Sequence, residues 1–215
     1  MEDLDNSVLI EMVETIADNK FIMGDHLIEI GIGGPNLEAT LSAVAIAQSE
    51  LGHARLLYNW VNELKNEGRR GKRIDIKEQT GKAFSTAVKA DDWISLLTSL
   101  YVTDVTADIV LNTISKSAYS EKMPSVKKML QEQREHIIYA RSWCNQLAND
   151  KGRIPIKLQD DLSKSSKEAN EWLNSLQNDD RLRELKVLDD TTNFPALFNK
   201  EIESVIIKEV VTHAR

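Results

Sequence analysis

The sequence predicts an all-α protein, and three observations predict it. Only nine Gly and four Pro occur in 215 residues, too few for a loop-rich β fold. Apolar residues recur at three- and four-residue spacing through the first two-thirds of the chain, the signature of amphipathic helices. The breaks between these periodic runs carry helix-stop and helix-start residues rather than strand turns.

The first helix is expected from about Ser7 to Ile32, with Leu9, Val13, Ile16, Met23, Leu27 and Ile30 on one stripe. "GIGGPN" (31–36) ends it, and Asn36 is placed to cap a second helix running to about Glu67. Residues 68–88, with Gly68, Gly71 and Gly81, read as a long connection containing a short helical piece. "KADDW" (89–93) offers acidic residues at the start of a third helix, expected to reach about Tyr119. "EKMPS" turns the chain, and Pro124 suits the first turn of a fourth helix ending near Asp150. Two helical hairpins joined by a long crossover make a ferritin-like four-helix bundle. The segments "IPIKLQDDLSKSSKEANEWLNSLQ" and "FPALFNKEIESVIIKEVVTHA" read as additional C-terminal helices packed outside it. Residues 1–215 are thus expected as a single helical domain, core bundle 7–150 and C-terminal helices 155–213.

Composition narrows the function. Hydrophobic residues at 41% and charged residues at 28% are ordinary for a globular chain. A net charge of −7 argues against nucleic acid, whose phosphates need a positive surface. The basic run "EGRRGKR" (67–73) reads as a solvated loop or an anchor for an anion. Cys144 is the single cysteine, which leaves no disulfide framework or cysteine metal site. The opening "MEDLDNSVL" has no basic or apolar signal region, and no run approaches the roughly 18 apolar residues of a membrane span. The chain is expected in the cytoplasm, away from membranes.

Each bundle helix interrupts its apolar stripe near mid-length with polar residues. The first reads Ile16, Lys20, Met23, and the second Ile46, Glu50, His53, Leu57, Trp60, Leu64. The third reads Leu97, Leu100, Asp104, Ala107, Leu111, and the fourth Met129, Gln133, His136, Ala140, Trp143. Dinuclear carboxylate bundles take one carboxylate from each of two helices and Glu-x-x-His from each of the other two. Residues three apart share a helix face, so such ligands converge on one ion. Here Glu50-x-x-His53 is complete and Asp104 supplies a carboxylate. Lys20 stands where a carboxylate belongs, and Gln133-x-x-His136 is one carboxylate short, with Glu132 beside it. Asp108 competes with Asp104 for the inward position. An ammonium beside buried carboxylates neutralises them and repels a metal ion. The layer therefore reads as a degenerate di-iron site with no cofactor. Its alternative is a single divalent ion, iron or manganese, held by Glu50, His53, Asp104 and His136.

Other features have plainer readings. "HARLLYNW" and "HIIYARSW" each place Trp two turns after His, which similar core packing explains. Trp60, Trp93, Trp143 and Trp172 line either the core or a ligand pocket. "GIGGPN" follows a helix rather than a strand, so it is a turn and not a phosphate loop.

The stretch "ADNKFIMGDHLIEIGIGGPNLEATLSAVAIAQSELGHARLLYNWVNEL" resembles the opening hairpin of the phenylacetate-degradation protein family. The matching features are "ADN", "P.LE" and "AIA…LG.AR.LY", and the likeness continues through "YVTDVTADIVLNT" and "KKMLQEQREHIIYARSW", covering about residues 8–150. Within the family, the resemblance points to the structural, non-catalytic subunit of the phenylacetyl-CoA ring epoxidase, whose catalytic subunit shares its fold and carries the di-iron ligands. It implies pairing with a homologous catalytic subunit, or homodimerisation. Glu132 and His136 match a Glu-x-x-x-His of the structural subunit, whereas "QSELGHA" is like the catalytic one. Three functions remain open at this stage: structural subunit, metal-dependent oxidase or oxygenase using one ion, and stand-alone helical binding protein.

Overall fold

The computed structural model describes residues 6–66, 80–121 and 126–212, with backbone alone at 80 and from 206. The basic run 67–73, Pro124 and the first five residues lie outside the described residues. Among those described there is no strand, and the helices form an all-α ferritin-like bundle.

Helix α1 (Ser7–Glu29) stops where Gly31 begins a single 3-10 turn, Gly31–Gly33, rather than running on to Ile32. Asn36 caps α2 (Leu37–Lys65), its side chain accepting from the Ala39 amide at 2.8 Å. The hairpin closes tightly because Gly24 and Gly31 carry no side chain. A Cβ at Gly24 would lie 2.6 Å from Leu51 Cγ, and one at Gly31 would lie 2.7 Å from Ala43 Cβ. Contact at that distance would force the helices apart.

The crossover enters at a 3-10 turn, Thr80–Lys82, and a short helix α3 (Ser85–Val88). Helix α4 (Trp93–Lys116) begins with a reciprocal cap between Asp92 and Ser95 and ends one turn short of Tyr119. Helix α5 (Val126–Ala148) completes the second hairpin. α1 packs along α2 and α4 along α5; α1 meets α4 across the core, and α2 meets α5 over a shorter stretch. α4 is long and apolar enough to cross a membrane, but 83% of its apolar window is buried within the protein, as expected of a central bundle helix.

Helices α6 (Ile154–Gln177) and α8 (Phe194–Thr212) occupy the two additional C-terminal segments. A short α7 (Asp180–Glu184), not expected from the periodicity, sits between them. Its five residues are too few to show a helical repeat. Both α6 and α8 lie against α4 and α5, and against each other. Of the tryptophans, only Trp60 is fully buried at 1% exposure. Trp143, expected on the core stripe, is half-buried and packs edge-on against Trp93, ring centres 5.3 Å apart.

Candidate functional site

The four stripes meet at one depth. Lys20 on α1, Glu50 on α2, Asp104 on α4 and Gln133 and His136 on α5 are all buried, Lys20 at 2% exposure and Glu50 at 0%. Apolar neighbours one turn away on each helix, such as Met23, Ala54, Leu100 and Ala140, flank the layer and are themselves buried. Burying these side chains holds the helices together, and the polar layer must be satisfied inside that apolar shell.

The Lys20 ammonium satisfies most of it. Its Nζ donates to Glu50 Oε1 at 2.9 Å, Glu50 Oε2 at 3.2 Å and Asp104 Oδ1 at 3.0 Å. His136 Nδ1–H donates to Glu50 Oε1 at 2.8 Å, and Gln133 donates its amide to the Asp104 carbonyl at 2.7 Å. Burial alone would push the Glu50 carboxyl up, yet the ammonium and His136 hold it well below the usual carboxylate range. Asp104 moves the other way: burial and then the Glu50 charge raise its pKa, and its Oδ2 has no hydrogen-bond partner. Burial disfavours the charged Lys20, but Asp104 and Glu50 reverse that and raise it above a free lysine. His136 is likewise raised against burial by its bond to Glu50. Two basic groups thus face two carboxylates.

His53 leaves this set. Its Nε2–H donates outward to Glu132 at 2.8 Å, and its Nδ1 lies 3.9 Å from Glu50 with no hydrogen bond. Burial, then the nearby Lys20 charge, lowers its pKa to about 4, so the ring is neutral near pH 7. Glu132, at 35% side-chain exposure, belongs to the rim rather than the buried layer, and Ser49 also donates to it. The rings of His53 and His136 stack with centroids 5.9 Å apart. Of the four candidate ligands, Glu50, Asp104 and His136 place one ligand atom each within 4.8 Å of one another, a group able to hold an ion. Asp108 lies outside this group.

The donor set does not fit two irons. Such a centre takes four carboxylates and two histidines from four helices. This layer has two buried carboxylates and one inward histidine, and Lys20 already bonds both oxygens of Glu50 and one of Asp104. An ion at the same place would meet a fixed positive charge about 3 Å away, a repulsion of several kcal/mol even at an effective dielectric near 20.

A match to the family model described as phenylacetic acid catabolic protein spans residues 1–212. The chain belongs to this family. The match extends well past residue 150, so the C-terminal helices are part of the family's shared chain and not an unrelated tail. No curated protein matches the chain.

One polar cluster was not anticipated. Asp18, two residues before Lys20 on α1, accepts the Tyr58 hydroxyl at 2.6 Å and the Lys82 amide at 2.8 Å. Asn19 accepts the Phe84 amide at 2.9 Å. The Lys82 and Phe84 amide bonds pin the end of the crossover onto α1. The signal lay in "ADNK", where three consecutive polar residues cannot all avoid the buried side of the helix.

Proposed function

We propose that this protein is the structural, non-catalytic subunit of a multicomponent oxygenase acting on coenzyme A thioesters of the phenylacetyl type. It works in the cytoplasm, paired with a homologous catalytic subunit. Family membership supports the pathway, and Lys20 carries the reading. Its ammonium lies 2.9 Å from Glu50 and 3.0 Å from Asp104, discharging the carboxylates that would otherwise bind and activate a metal. A chain built this way keeps the bundle's shape without its redox chemistry, which suits a subunit that positions another.

Co-expression with a catalytic homologue and size analysis of the purified material tests it. A stable complex of the two chains is expected, with the metal in the catalytic chain alone. A chain that stays monomeric beside that homologue, or that binds two ions by itself, overturns the proposal. Homodimerisation is distinguished by the mass of the isolated chain.

A second reading rests on the convergence of Glu50, Asp104 and His136 within 4.8 Å. Here a single divalent ion binds once the Lys20 amine withdraws. Expression with added iron and manganese, followed by metal analysis, separates the two. One equivalent lost on changing His136→Ala favours the ion; a trace amount unaffected by that change removes it.

A further inference from the structure

On the outer face of the α4–α5 hairpin, away from the lysine layer, α8 and residues 186–192 enclose a cavity of about 710 Å³ with these helices. Asp108 and Ile109 of α4 line it, one turn beyond Asp104 but facing outward. On α5 the lining residues Arg134, Ile137, Ile138 and Arg141 follow helical spacing along one face. The volume falls in the range of small-molecule sites.

Three features set this cavity apart from ordinary solvated surface. First, basic residues gather there: Lys116, Arg134, Arg141, Lys186 and Lys200, against Asp108, Asp189 and Glu201. The chain as a whole has 34 acidic and 27 basic residues, so a local cationic excess runs against its composition. Among the described residues only Arg141 of these five has an ion pair, to Glu201 at 3.8 Å. Second, Ile138 and Leu197 are 55% and 46% exposed beside half-buried Ile137, an apolar strip at the same opening. Third, Asp108, the half-buried acid of the lining, has its Oδ1 without a hydrogen-bond partner, and burial raises its pKa, which favours the neutral form that donates to an anion rather than repelling it. Asp189 differs, since Thr191 and Thr192 already donate to it.

We propose that this cavity binds an amphipathic organic anion, with its carboxylate or phosphate against Arg134, Lys116 and Lys200 and its apolar body on Ile137, Ile138 and Leu197. Arginine and lysine recognise the shared charge of either acid group, while the apolar strip selects against small hydrophilic anions. The site shares no residue with the Glu50, Asp104 and His136 group, so it stands whether or not that group ever holds an ion.

A fluorescence titration of the full chain with anilinonaphthalene sulfonate tests the site, with dodecanoate, dodecyl phosphate and dodecanol as competitors. Saturable binding displaced by the two anions and poorly by the alcohol is expected, and the stronger of the two names the acid group. Arg134→Glu combined with Lys200→Glu should weaken binding about tenfold or more, as loss of charge-assisted contacts does. Lys89→Glu, outside the cavity, should leave it unchanged. Circular dichroism confirms the fold of each variant, and Lys116→Glu alone replaces the double change if that variant unfolds. Absence of saturable binding by the native chain, or equal affinity in the folded charge-reversal variants, overturns the proposal.

Discussion

Helices α4 and α5 present opposite solutions to charge on their two faces. On the inner face, Asp104 and His136 meet Lys20 and Glu50 in a buried layer where basic and acidic groups match. On the outer face the same helices carry Lys116 with no ion pair among the described residues, and Arg134 whose charge acts on Asp108 across the cavity wall. Burial enforces the difference. An unmatched charge inside the bundle costs several kcal/mol, whereas water screens the same mismatch at the surface. The inner face should therefore answer to mutation with stability, the outer face with binding.

The strongest way to break this contrast is Lys20→Met. Removing one partner of a buried ion pair typically costs about 3–5 kcal/mol, because Glu50 and Asp104 are left uncompensated. Urea denaturation near pH 7 measures it. The deficit should shrink on acidification as one orphaned carboxylate protonates. A loss no larger than that of a surface lysine would mean the layer is not what holds the helices in place.

Next comes acid sensitivity. His53 is lowered to about 4 from 6.5, so it stays neutral in the fold while the unfolded chain takes up a proton below pH 6.5. Stability is therefore lost as pH falls from 6.5 toward 4, by about 2–3 kcal/mol at most. Glu50 adds to this limb at lower pH: its depressed pKa contributes stability above the unfolded carboxylate value, lost as pH falls through the folded one. His136 acts in reverse. Its raised pKa contributes stability below the unfolded histidine value that is lost as pH rises through the folded value. Denaturation across pH should show His53→Gln flattening the acid limb and His136→Gln the alkaline one.

A smaller effect is expected from Tyr58→Phe, which leaves Asp18 with one hydrogen bond fewer inside the hairpin. About 1–2 kcal/mol should be lost, read by thermal melting. The smallest effect belongs to the outer face. Lys116→Glu should change stability by less than about 0.5 kcal/mol, as exposed substitutions do, while still weakening anion binding. A large loss of stability there would erase the distinction between the two faces.

Much of the inner face was legible in the sequence because each helix records its buried stripe at fixed spacing. Lys20, Glu50, Asp104, Gln133 and His136 sit where apolar residues recur three and four apart, so their shared depth followed from the period. The Asn36 cap was legible for the same local reason, and "KADDW" marked where α4 begins, though the reciprocal bond between Asp92 and Ser95 is a finding of the structure. What periodicity leaves out is direction about the Cα–Cβ bond and contact across distant segments. His53 shares a face with Glu50, yet its ring turns to Glu132 at the rim, a rotamer choice set by an α5 residue 79 positions away. The Asp18 contacts depend on where the crossover lands. The outer cavity joins α4, α5 and α8, and no local pattern announces such a meeting.

Lys20 has one more consequence. A positive charge tethered to the main chain is synthesised with the protein and cannot be washed out, traded for another element, or lost to a chelator. The charge balance among α1, α2 and α4 is thus written into the order of residues and is set as soon as the helices meet.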